Sequence, residues 1–259
     1  MATVIGAEVI SLTKLAKTSE FRQRCDAVYG LPVTSKLQSP IRCVPKTKQH
    51  RLTGMAFSYL YRFMLAHHYG LSMSSCVALK YGRDDAAIAL ANKAMSKHVG
   101  VEDAIGLSIL LAYLDYTARN GVDAGFVKRL QSREGDISLN ELADDLCSMI
   151  NLLLCQRPAA HDVFINYHFG GKMGIAADNS VVMDGYLVRT TTTQFPNLTH
   201  DLWYQMCGYH SLALGAAGVF SDGKYVPLTP KGFIVYFARF GKSIRVDLPT
   251  AGVELCPNY

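Results

Sequence analysis

The 259-residue chain has no C-x-x-C spacing, no low-complexity tract and no internal repeat. It also lacks any run of about 18 uninterrupted apolar residues, the length a membrane-spanning helix needs. The first absence removes the usual zinc and dithiol redox motifs. Its seven cysteines (Cys25, Cys43, Cys76, Cys147, Cys155, Cys207 and Cys256) are odd in number and scattered, mostly among apolar neighbours. They read as small core residues in a reducing compartment. The longest apolar run, Ile105 to Tyr113, fits a buried helix, and the N-terminus lacks a basic segment followed by an apolar one. These features predict a cytoplasmic protein with no membrane partner. There is also no G-x-S-x-G elbow, no G-x-x-x-x-G-K-[ST] loop and no Rossmann fingerprint.

Histidines supply no obvious metal site either. His67 and His68 are adjacent, so on a helix they point about 100° apart. His161 and His168 stand near opposite ends of one expected strand, and the structural role is the simpler reading for all four.

What is present is 49% hydrophobic residues, ample for a large core, and a net charge of +5 that permits a polyanionic partner. The pattern predicts one compact unit in three stretches. Residues 1–53 hold a helix over about Leu12 to Tyr29 and a basic loop, Pro45 to Arg51, which reads either as a solvated loop or as a phosphate-contacting one. Residues 54–157 carry apolar positions at helical spacing over Gly54–His68, Asp84–His98, Val101–Asn120 and Ser138–Cys155. In the last, Leu139, Leu142, Leu146, Ile150 and Leu153 share a face, and Ser138 with Glu141 forms a capping-box pattern. This helical region looks like an insertion that packs as a lid or docks a protein partner.

Residues 158–259 change to β-branched and aromatic runs. Asp162–Phe169, Gly174–Met183 and Tyr186–Thr193 predict a three-strand meander, the last two joined by a tight turn at Asp184-Gly185. A helix capped by Thr199 runs to about Leu214, and strands follow over Gly232–Arg239 and Ser243–Leu248. The fold class is therefore α+β, or mixed α/β, with an antiparallel meander and a helical crossover.

Three segments carry a resemblance. In Gly174 to Thr193 one strand, a tight turn and a second strand reproduce the layout in which many metal-dependent nucleases place an acid, then an acid-x-Lys pair. Gly54 to Phe63 resembles an early helix of the same proteins, where an acid often stands at the place of Ser58. Leu202 to Tyr209 contains Gln-x-x-x-Tyr, here Gln205 and Tyr209. Together they resemble the RecB-like members of the PD-(D/E)XK nuclease superfamily, in particular an uncharacterised prokaryotic group. The resemblance implies a restriction-endonuclease-like core with a mainly helical N-terminal half.

It also implies a degenerate site. The family's acid, acid and lysine positions hold Ser180, Arg189 and Thr191. Neutral hydroxyls supply little of the charge that holds a divalent ion, and a guanidinium repels one. No metal ligand set and no cofactor is expected. The resemblance instead makes Arg189, Thr191, Gln205 and Tyr209 candidates for a groove that binds DNA or RNA. Two readings of Arg189 remain open: a planar fork on phosphate, or an exposed strand residue with no specific task. Asp184 fits its turn, whereas Asp178 shares the strand parity of Ser180 and is the acid to consider for a rearranged site using Mg²⁺ or Mn²⁺. The expected function is a non-cleaving nucleic-acid binder or a component of a DNA-processing or defence assembly. An active nuclease with rearranged acids and a protein-interaction module are the alternatives.

Overall fold

The computed structural model describes residues 10–33, 35–73, 78–79, 84–95, 100–120, 137–154, 160–167, 175–176, 181–221 and 224–250. These form seven helices and nine strands in a mixed α+β arrangement. The first two helices, α1 (Leu12–Leu15) and α2 (Ser19–Tyr29), replace the single helix expected there. Thr18 makes the break. Its backbone is extended, and its hydroxyl accepts from the Phe21 amide at 3.3 Å while donating to the Leu15 carbonyl at 2.9 Å.

The helical stretch comprises α3 (His50–Tyr69), α4 (Asp85–Met95), α5 (Val101–Asn120) and α6 (Ile137–Leu154). The expected face of α6 is buried throughout, from Leu139 to Leu153. The helix starts at Ile137, however, which puts Ser138 at its second position instead of the cap. No described helix is long and apolar enough to cross a membrane.

Strands β2 (Val163–Ile165), β4 (Val181–Met183) and β5 (Tyr186–Thr191) form the antiparallel meander; β2 ends at Ile165, earlier than expected, and residues 168–174 and 177–180 of the first two expected strands and the turn between them lie outside the described residues. At the β4–β5 turn Asp184 and Gly185 have φ of 49° and 85°, the left-handed pair that a two-residue hairpin requires. Asp184 fills the turn role. Its Oδ1 accepts from the amides of Asp162 and His161, both at 2.9 Å, and these donors, Asp162 first, hold its carboxyl below the ordinary value.

From β5 the chain crosses over through α7 (His200–Gly215), capped by Thr199 as expected, to reach β8 (Gly232–Phe237), which runs parallel to β5. Strand β9 (Lys242–Asp247) closes an order of β2-β4-β5-β8-β9. Sequence reading missed two pairings. A hairpin of β6 (Gly218–Ser221) and β7 (Lys224–Pro227) follows α7, and β1 (Ile10–Ser11) pairs in parallel with β3 (Ile175–Ala176) outside the main sheet.

Alternation along the strands builds two cores. Val181, Val188 and Tyr236 face α3, α5 and α6, while Val182, Leu187, Phe233, Val235 and Phe237 face α1, α2 and α7. Each fully buried aliphatic or aromatic side chain contributes about 1.5–3 kcal/mol, so both faces are needed to hold the sheet. At Gly208 the helices of the second layer pack closely: a Cβ there would lie 2.6 Å from Leu12 Cδ1.

A buried ion pair ties the layers together. Arg239 and Asp145, each 1% exposed, meet at 2.8 Å. Arg239 also donates to the carbonyls of Thr192 and Cys43, its own carbonyl accepts from Arg42 and Cys43, and Asp145 accepts from the Lys46 amide. Removing one partner strands a buried charge, so Asp145→Ala is expected to cost about 3–5 kcal/mol. Replacing both, as Asp145→Leu with Arg239→Met, restores most of that loss. Denaturant unfolding of the three variants checks this, and a cost below about 1 kcal/mol for Asp145→Ala would refute it.

Candidate functional site

The amphipathic logic of α3 gives it a second, polar use. His50, Gly54, Ser58 and Arg62 recur every four residues, and Arg51, Met55 and Tyr59 form the adjacent row. Both rows line a cavity of about 460 Å³. The cavity lies beside the carboxyl end of the parallel β5–β8 pair, a place where open sheets commonly take ligands. A Cβ at Gly54 would meet Thr192 Oγ1 at 3.4 Å, an ordinary van der Waals contact, so α3 and the end of β5 pack directly here.

Strand β5 supplies Arg189, Thr190 and Thr191, followed by Thr192. Arg189 and Thr191 share the parity of Leu187 and so point to the α7 side, whereas Thr190 shares the parity of Val188. From α7 come Gln205 and Tyr209, one turn apart. Gln205 Nε2 donates to Thr13 Oγ1 of α1 at 2.9 Å, which fixes the amide at the cavity edge. Thus Arg189, Thr191, Gln205 and Tyr209, predicted as groove residues, all line this one cavity, and so does Ser58. Asp178 and Ser180 lie outside the described residues.

Arg189 is half-buried and makes no hydrogen bond or ion pair among the described residues. Its reading as a merely exposed strand residue therefore does not fit its position. Arg62 is 6% exposed and firmly held: Nε donates to the Ser58 carbonyl at 3.1 Å, one terminal nitrogen donates to Asn166 Oδ1 at 2.6 Å, and the guanidinium lies 4.0 Å over the Tyr59 ring. Asn166 sits just past β2 with φ of 54°, a left-handed conformation that asparagine tolerates. Asp115 of α5, the one carboxylate among the described residues of the lining, accepts from Tyr59 Oη at 2.8 Å.

The basic run Pro45 to Arg51 divides between two roles. Lys46 pairs with Asp144 at 3.1 Å, while His50 and Arg51 form the first turn of α3 and line the cavity. That turn contains no acidic residue. Two basic side chains at the positive end of a helix dipole raise the local potential rather than offset it. The cavity thus suits an anion on three counts: guanidinium excess, dipole sign and hydroxyl donors.

No group of three or more His, Cys, Asp or Glu that could hold a metal occurs among the described residues. Compared with protein-family models, curated proteins and solved structures, the chain matches none of them.

Sequence reading missed Thr13, Arg62, Asn166 and Asp115 as cavity residues, whereas His50 and Arg51 belong to the basic run read as either solvated or phosphate-contacting. Only Arg62 left a usable sign: a charge in a helix whose neighbours Leu60, Tyr61, Leu65 and Ala66 are all core.

His210, next to Tyr209, is part of the support and not of the cavity. Fully buried, its Nε2 faces the Pro230 carbonyl at 3.1 Å and its Nδ1 faces Tyr29 Oη at 2.9 Å. Donation from Nε2–H to the carbonyl leaves Nδ1 to accept from the tyrosine, the pattern of a neutral ring. Burial lowers its pKa from 6.5 to about 4, against the opposing pull of the Pro230 carbonyl. The unfolded chain therefore takes up this proton more readily than the fold does. Its contribution is intact above pH 6.5 and is lost as pH falls through about 4. Unfolding free energies at pH 7 and pH 4 should differ by more in the native protein than in His210→Gln; equal differences would refute the assignment.

Proposed function

We propose that this chain is a catalytically degenerate PD-(D/E)XK nuclease-like protein that binds DNA or RNA, by itself or as a non-cleaving component of a DNA-processing or defence assembly. The observation that carries the reading is the free Arg189 guanidinium lining a cavity with Gln205 and Tyr209, at the position where the resembling nucleases carry a metal-binding acid. The order of elements supports it: an early helix, an antiparallel meander β2-β4-β5, a crossover helix, and a strand parallel to the third. So does the charge of the lining. Phosphodiester oxygens accept from planar guanidinium forks, and Thr191 and Gln205 offer neutral donors beside them. The task a metal performs in an active relative passes here to arginine.

Binding of labelled single- and double-stranded DNA and RNA should weaken steeply with salt and should persist in chelator. Arg189→Ala should reduce the slope of log affinity against log salt by roughly one, the signature of one lost phosphate contact. Affinity that ignores both salt and Arg189 sinks the proposal. Cleavage that requires Mn²⁺ and disappears in Asp178→Asn would replace it with an active nuclease.

A further inference from the structure

Arg62 and Arg239 are both buried arginines in this protein, at 6% and 1% exposure, and they are balanced differently. Arg239 has Asp145 at 2.8 Å. Arg62 has an amide oxygen, a carbonyl and an aromatic face, but no carboxylate within ion-pair distance among the described residues. A buried cation without a counter-charge is costly unless something outside the chain supplies the charge. Arg62 lines the cavity, so a ligand can reach it there.

We propose that the cavity is built for a phosphate monoester, with Arg62 as its fixed anchor and Arg189 as the second arm. The proposal deepens the nucleic-acid reading, on which its strand-end form rests. The charge supports a monoester over an internal diester. Among the described residues of the lining, Arg51, Arg62 and Arg189 face one carboxylate, Asp115, leaving two positive charges over. A terminal phosphate carries about two negative charges near pH 7, and a diester carries one. Size supports a single unit: about 460 Å³ is the scale of a small-ligand pocket.

Rigidity points the same way. The Asn166 and Ser58 bonds and the Tyr59 face hold the guanidinium in place before any ligand arrives, so little side-chain freedom is lost on binding. Tyr59 in turn is held by Asp115, which spends the cavity's carboxylate on the tyrosine hydroxyl and away from the ligand. The monoester has two sources, a free mononucleotide or the phosphorylated end of a strand.

The test titrates the full chain with adenosine 5′-monophosphate, with adenosine, and with one oligonucleotide bearing a 5′-phosphate, a 3′-phosphate or only hydroxyl ends. A phosphate-ended strand should bind at least about tenfold more tightly than the hydroxyl-ended one, and Arg62→Met should abolish that preference, a loss of about ten- to a hundredfold. The monophosphate, and not adenosine, should raise the melting temperature. Because Arg62→Met removes an unbalanced buried charge, its denaturation midpoint should not fall. Should that variant fail to fold, Arg62→Lys decides: it keeps the charge, loses the planar fork, and must weaken the phosphate preference.

Equal binding of all three strands with a silent monophosphate overturns the monoester inference and leaves the groove reading standing. Arg62-dependent binding of the monophosphate without any oligonucleotide binding upholds the inference, names the free nucleotide as the source, and overturns the nucleic-acid reading. Silence from every probe overturns both.

Discussion

The Arg239–Asp145 pair is the constraint on which the rest of the arrangement hangs. Four chain segments end at it: the carboxyl ends of β5 and β8, the strap from Arg42 to Lys46, and helix α6. None of these segments is adjacent in sequence to more than one other. Buried pairs seldom add much net stability, because desolvation offsets their attraction. Their stronger effect is on register. Slide β8 by one residue against β5 and Arg239 loses Thr192, Cys43 and Asp145 together, while Val235 and Phe237 turn from one core to the other. The pair therefore fixes where β5 ends, and with it the height of Thr190 to Thr192 on the cavity wall. By holding the strap it also fixes where α3 begins, at His50.

From that fixed start, helical geometry does the rest. Once His50 stands at the cavity, positions four, eight and twelve residues later lie along the same face, and the last of them is Arg62. The opposite face of α3 carries Phe57, Leu60, Tyr61 and Leu65 into the core. A helix committed on one side to a closely packed core cannot rotate to relieve strain on the other. Arg62 is thus held beside the cavity by apolar packing as firmly as by its own hydrogen bonds.

Local chemistry explains which parts were legible from the residues alone. Asp184-Gly185 demands left-handed φ at two successive positions, Thr199 has an amide to cap, and the α6 stripe from Leu139 to Leu153 can bury only one way; each appeared as expected. Other features depend on encounters between distant residues. The pairing of Ile10 with Ile175 spans most of the chain and leaves no periodic trace. Thr18 looked like one more residue in a continuous helix because its cap is visible only once Leu15 has lost its helical partner. The β6–β7 hairpin was legible in principle, since Asp-Gly stands between Val219-Phe220 and Tyr225-Val226, and was overlooked. Arg62 was hidden for a different reason. The α3 pattern shows only a charge among core positions; the lack of a counter-charge near it among the described residues depends on segments far along the chain.

The same electrostatics weighs against a simple return of metal chemistry on the proposed reading. A divalent ion needs several anionic or neutral oxygens converging at about 2.0–2.6 Å. At this cavity Asp115 already accepts a hydrogen bond from the Tyr59 hydroxyl, and Arg51, Arg62 and Arg189 are in the lining. Converting Arg189 alone to an acid would still leave Arg51 and the buried Arg62 in the lining, where they oppose a cation. Removing Arg62 as well would also remove its hydrogen bond to Asn166, just past β2. On the proposed reading, Arg189 in the sheet and the buried Arg62 on a separate helix together make the cavity favour an anion over a cation.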